Sequence, residues 1–199
     1  MNLKHTISTY TGRNIDFSNP LPSMIDCLDI ARGLSCMCRF NGHITKFYSV
    51  AEHSMLVAMH LPDELQAYGL LHDAAEAYIA DIVRPAKLLL DGYLELEECL
   101  LEAIAARYGL DVERFSDPLI KEADNRALVT ERNVLQPNWR LNEEAWAPID
   151  ALYKPYPVII VGTEPRVAER NFLYAFEKLI DFEYPCPVDP ASDWPPEEV

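Results

Sequence analysis

Cations are scarce in this chain of 199 residues: 17 lysines and arginines stand against 32 aspartates and glutamates, for a formal net charge of −15. No cluster of five or more basic residues occurs, which argues against nucleic acid as a partner, because a phosphate backbone is bound through excess Lys and Arg. Long apolar runs are missing too. None approaches the roughly 18 to 20 residues of a membrane span, and the opening Met-Asn-Leu-Lys-His-Thr has no apolar leader pattern. The five cysteines, at 27, 36, 38, 99 and 186, are odd in number and lack Cys-x-x-Cys spacing, which excludes the usual zinc pattern and fits reduced thiols in a cytoplasm. Cys36-Met37-Cys38 reads as buried thiols. No internal repeat is present.

What remains is material for one globular core, with 49% of residues hydrophobic. The expected division is a single domain over 1–183 and a Pro-rich, acidic tail over 184–199 that is extended or disordered. Within the domain the pattern is mostly helical. Residues 5–17 are rich in β-formers around Gly12 and predict a short hairpin, while Asn41-Gly42 predicts a second small hairpin over 39–44. Ser23 is an N-cap candidate for a helix carrying Leu28, Ala31 and Leu34. Ser49 and Glu52 form a capping box that opens a helix running to about His60. Pro62 starts a helix through Leu65, Tyr68, Leu71, His72, Ala75 and Ile79 that ends before Arg84-Pro85. Further helices run over Glu95–Tyr108, stopped by Gly109, from Asp117-Pro118 through Ile120, Ala123, Ala127 and Leu128, and from Pro165 to Ile180. Residues 137–163 hold several prolines and the apolar run Val158–Val161, whose type periodicity does not settle.

The chemistry concentrates in Gly-Leu-Leu-His-Asp-Ala-Ala-Glu, residues 69–76. An imidazole and a carboxylate stand side by side in an otherwise apolar stretch, where leaving them unsatisfied costs on the order of 1 to 3 kcal/mol per polar group. A divalent metal is the economical partner, taking one nitrogen and one oxygen from His72 and Asp73. His53, near the start of one helix, and Asp124, inside the apolar stripe of another, are the candidates to complete a mixed N/O site with positions left open for water and substrate. Taken singly, a histidine is more often a surface or hydrogen-bonded core residue. His43 rivals His53 as a ligand; the capping box at Ser49 favours His53, because it fixes that side chain on a rigid element. Glu76 lies four residues after His72 and three after Asp73 and so shares their helical face; the alternative is a solvated helix glutamate.

The order His53, His72-Asp73, Asp124 resembles the HD-domain metal-dependent phosphohydrolases. Val50-Ala51-Glu52-His53-Ser54, Leu71-His72-Asp73-Ala74-Ala75-Glu76, then Asp81 and Pro85-Ala86-Lys87, look like the branch that holds bacterial 5′-deoxynucleotidases of the YfbR type and phage dATP triphosphohydrolases of the DatZ type. The likeness covers about residues 9–130, and Thr9-Tyr10-Thr11-Gly12 with Cys38-Arg39-Phe40-Asn41-Gly42-His43 tilts it toward the second.

The resemblance implies a mainly α-helical HD-domain bundle with one or two small N-terminal β-hairpins, in which His53, His72, Asp73 and Asp124 hold a divalent transition metal: zinc, cobalt or manganese, with iron also admitted. Glu76 is then the catalytic carboxylate and Asp81 a contact to the sugar 3′-hydroxyl, the alternative for Asp81 being an acidic loop residue. Arg39 and Lys87 are the expected phosphate cations, as a bidentate clamp and a point charge. Phe40 is expected to stack on the base, Asn41 and His43 to line the pocket, and Pro85 to stand with the substrate contacts. The implied activity is hydrolysis of a deoxynucleotide, first dATP to deoxynucleoside and triphosphate, alternatively a deoxynucleoside monophosphate, by a homo-oligomer such as a dimer or hexamer. Two other classes fit the same residues: a catalytically silent nucleotide-binding module, and a helical interaction protein whose acidic face docks a basic partner.

Overall fold

The computed structural model describes residues 3–181 and is mainly helical, with one small antiparallel hairpin at its N-terminal end. Strands β1 (Thr6–Ser8) and β2 (Asn14–Asp16) pair Ile7 with Ile15. The hairpin is fastened to helix α1 (Cys27–Cys36), where the buried Asp29 carboxylate accepts from the Thr11 amide at 2.8 Å and the Thr11 hydroxyl at 2.7 Å. Asp26, rather than Ser23, caps α1 by accepting from the Leu28 amide. Ser23 lies in a 3-10 turn one step earlier, because Pro22 is pre-set for such a turn.

Helix α2 (Val50–Met59) is the axis of the fold. Nearly every side is covered, and its residues contribute to both apolar clusters of the core. The capping box is present as expected: the Ser49 hydroxyl accepts from the Glu52 amide at 3.2 Å, and the Glu52 carboxylate accepts from the Ser49 amide at 3.0 Å. Helix α3 (Asp63–Leu71) packs closely on α2 at Gly69, where a β-carbon would stand 3.1 Å from the Ala58 Cα. On the other side lie α1 and helix α9 (Pro165–Leu179), whose Ala168, Phe172 and Phe176 recur at i, i+4, i+8 and are buried.

The helix expected from Pro62 to before Arg84 is broken. It stops at Leu71, four residues of turn follow, and a short helix α4 (Glu76–Ile79) resumes before the chain turns at Ala80. His72 and Asp73 therefore sit at the break, where the backbone can present two adjacent side chains to one point. Ala80 has φ 73° and ψ 153°, a region almost restricted to glycine and strained for alanine by about 1–3 kcal/mol. The chain then enters helix α5 (Arg84–Lys87), helix α6 (Tyr93–Tyr108), which ends at Gly109 as expected, and helix α7 (Pro118–Leu135), capped by Asp117.

Three further expectations are corrected. No hairpin forms over 39–44, where Arg39–Gly42 is a 3-10 turn. Phe40 and Asn41 take the left-handed conformation there, and a lone bridge between Cys38 and Ser49 is the only pairing at this corner among the described residues. Residues 137–163 contain helix α8 (Glu143–Leu152), which the prolines concealed because Pro148 lies inside it. Cys36 is exposed rather than buried, since it falls off the α1 stripe of Cys27, Ile30, Ala31 and Leu34. Val158–Val161 is neither helix nor strand. The expected tail at 184–199, with Cys186, lies outside the described residues.

Candidate metal centre

Three elements bring the charged residues together. α2 carries His53, the break after α3 presents His72 and Asp73, and α7 contributes Asp124. One ligand atom each from His53, His72 and Asp73 lie within 4.8 Å of one another. Asp73 Oδ2 stands 3.6 Å from His53 Nε2 and 3.3 Å from His72 Nε2, while Asp124 Oδ1 stands 3.4 Å from His53 Nε2.

The outer nitrogen of each imidazole is already engaged. His53 Nδ1 donates to Glu131 Oε1 at 2.7 Å, and His72 Nδ1 donates to the Gly69 carbonyl at 2.8 Å. Both Nε2 atoms are buried, face the carboxylates and make no hydrogen bond. Metal-binding histidines are oriented in this manner, with a carboxylate or carbonyl fixing the ring so that the second nitrogen can ligate. The two imidazoles and the Asp73 carboxylate could therefore hold a divalent cation, with Asp124 beside His53 at the edge of the group.

Electrostatics agree with the geometry. His53 is pulled up to about 10: burial and Arg39 oppose its charge, but Glu131 and Asp124 outweigh them. Asp73 and Asp124 are held well below the usual carboxylate range by the two histidines, against the burial that would raise them.

Above the cluster opens a cavity of about 630 Å³, within the range of small-molecule sites. Its charged end is lined by Arg39, Asp73, Glu76 and Asp124, and one side by the segment from Asp81 to Lys87. α8 adds Ala145, Trp146, Pro148 and Ile149 to the lining. Glu76 is pushed up to about 9 by burial and by the neighbouring Asp73 and Asp81, with Lys87 opposing. Lys87 Nζ donates to Glu76 Oε1 and to Glu97 Oε1, each at 2.7 Å, whereas Glu76 Oε2 is buried without a partner.

Of the residues singled out in the sequence, His53, His72, Asp73 and Asp124 converge, and Glu76, Asp81, Pro85, Lys87, Arg39 and Phe40 line the cavity above them. Asn41 and His43 are exposed and are not among the lining residues, because the left-handed turn carries them outward. His53 rather than His43 occupies the cluster. The two expected phosphate cations have internal partners: Lys87 those just given, and Arg39 the buried Glu131, whose Oε2 accepts from Nε at 3.2 Å and from Nη2 at 3.0 Å.

Sequence reasoning missed Glu131, which joins His53 to Arg39. Its signal was the spacing, seven residues after Asp124 and hence two turns along the same face of α7. It also missed Arg84, a half-exposed cation of the cavity lip, 3.3 Å from Asp124.

Fold and site together define a mainly helical domain with a candidate His/Asp metal centre beneath a substrate-sized cavity. No protein-family model matches the chain. It is 41% identical over 129 residues to the uncharacterized protein YfdR of Escherichia coli K12, a match spanning 65% of this chain and 71% of that protein. An uncharacterized Rhodobacter capsulatus protein is 38% identical over 110 residues, spanning 50% of this chain and 56% of that one. The chain belongs to the family of YfdR. Among the described residues no helix is long and apolar enough to cross a membrane.

Proposed function

We propose that this protein is a metal-dependent phosphohydrolase of the HD-domain type that acts on deoxynucleotides. The observation that carries the reading is the pair of buried, partnerless Nε2 atoms of His53 and His72, faced by Asp73 and Asp124 at the charged end of the cavity. A bound divalent ion would supply Lewis-acid polarisation of a phosphate and a more acidic water.

The remaining work falls to the chain itself. Glu76 Oε2 has no partner and, in the carboxylate form, accepts the proton of the attacking water, while Lys87 holds Oε1 and keeps the carboxylate aimed. Asp73, one of the charges that raise Glu76, is the carboxylate that ligation would neutralise. Attack at the phosphorus nearest the sugar joins the water oxygen to phosphorus and breaks the bond to O5′, which takes the proton that Glu76 accepted and leaves as the deoxynucleoside hydroxyl.

Two substrates suit this chemistry. dATP is the one the sequence resemblance implies. A deoxynucleoside monophosphate is favoured by the charge pattern, since Arg39 and Lys87 are paired internally and Arg84 is the half-exposed cation of the lining. Incubating purified protein with Co²⁺, Mn²⁺ or Zn²⁺ and dATP, dGTP or dAMP, then separating the products, tests both. Deoxynucleoside released with triphosphate or with phosphate is the expected result, and no deoxynucleoside under any metal overturns the reading. Glu76→Ala abolishes turnover with the metal retained; an unchanged rate would remove Glu76 from the mechanism.

A further inference from the structure

α8 is an unusual wall. It has no buried residue and a proline in its middle, yet Ala145, Trp146, Pro148 and Ile149 form one side of the cavity. Its attachment is concentrated on Arg132, a side chain of α7 that is only 1% exposed. The guanidinium grips both Asp150 oxygens, at 3.1 and 2.8 Å, and donates to Asn133 Oδ1 at 2.8 Å. It also lies 3.9 Å from the ring centre of Trp139 and 4.6 Å from that of Trp146.

A helix that buries nothing gains little from the hydrophobic core, so its placement depends on this polar and cation–π brace. The brace fixes Trp146 in the cavity wall, with Leu128 and Phe40 also lining the space. The cavity lining therefore combines the carboxylates beside the candidate metal ligands with a held indole and apolar side chains.

We propose that Trp146 is the stacking surface for a planar aromatic ring, the nucleobase of a phosphorylated nucleoside whose phosphate lies at the metal end. The proposal rests on the phosphohydrolase reading for the chemistry at that end, but the ring site stands on the α8 wall. An indole offers a π-face that every base can stack on, worth about 5-fold to 150-fold in affinity. It thus accounts for recognition of a base without a hydrogen-bonding code.

The test is calorimetric titration of the full chain, loaded with Zn²⁺, with 2′-deoxyadenosine, which carries the ring and no phosphate. The expected result is measurable binding that weakens at least tenfold in Trp146→Leu and less in Trp146→Phe, with melting temperature and zinc content recorded for each variant. Unchanged affinity in folded Trp146→Leu, or no binding by the native chain, overturns the ring site. Phosphate release from 2-deoxyribose 5-phosphate, measured in parallel, reports on the hydrolase reading separately. Nucleoside binding without release in any assay would keep the ring site and overturn the hydrolase.

Discussion

The two ends of the cavity are built on opposite plans. At the candidate metal end one ligand is held by a chain of buried partners: Glu131 orients His53 and Arg39 holds Glu131, and His53 and Glu131 are 0% exposed. At the α8 end no residue of the helix is buried, and one guanidinium from the neighbouring helix does the holding. Glu131 and Arg132 are adjacent in sequence, so a single turn of α7 orients the candidate ligand on one side and the wall on the other. Chemistry that needs sub-ångström placement sits where the protein is over-determined. The proposed ring recognition falls to an element that has no buried residue.

The sharpest way to break this contrast is to remove Glu131. Glu131→Ala frees His53 to rotate and leaves the Arg39 guanidinium buried without its nearest carboxylate. Loss of an oriented ligand lowers metal affinity by about 10- to 100-fold, and an uncompensated buried charge destabilises by about 3–5 kcal/mol. Metal titration and chemical denaturation measure the two separately. Glu131→Gln, which keeps an acceptor for His53, is expected to lose less metal affinity. Native affinity in Glu131→Ala would mean that His53 is placed by packing alone.

Acidity offers a second probe of the charged end. Glu76, pushed up to about 9 by burial and its acidic neighbours, and His53, pulled up to about 10 by Glu131 and Asp124 against burial and Arg39, both hold protons in the fold that an unfolded chain releases near its ordinary values. From about pH 4.5 for Glu76 and 6.5 for His53 the folded state binds more protons, so stability falls with rising pH until about 9 and 10 are passed. Asp73, Asp124 and Glu131, all lowered, act in the other direction and lose their contribution as the medium becomes acidic. The metal-stripped protein should therefore melt highest in mildly acid medium, and its melting temperature should drop from about pH 6.5 to about 9.5. Ligation requires His53 without its extra proton, so metal affinity rises over the same interval. A flat melting profile in the stripped protein would contradict the protonated His53.

The charged end was the legible part of the sequence. A doublet of polar residues in an apolar run, and single polar residues in two other apolar stripes, are each costly unless they meet, and they do meet. The break after Leu71 was hidden because Leu71, His72, Ala75 and Ile79 keep helical spacing across it. Arg39 and Lys87 look free in a sequence; only the folded chain shows their carboxylate partners, 92 and 10–11 residues away. α8 was least legible: Pro148 argues against a helix, and an element without buried residues leaves no apolar stripe to read.

The smallest effect belongs to that wall. Asp150→Ala removes the charge-assisted pair on Arg132 but leaves Asn133 and the two indoles in contact with it, and Asp150 is itself one-third exposed. Global stability is expected to fall by only about 1–2 kcal/mol. The change should concentrate in α8, because few other contacts hold it. Hydrogen exchange should therefore accelerate at 143–152 while α2 and α7 remain protected, with metal content unchanged. Equal acceleration in α2 and α8 would show that the two ends of the cavity open as one unit, and the division of labour between a fixed metal end and a braced wall would fail.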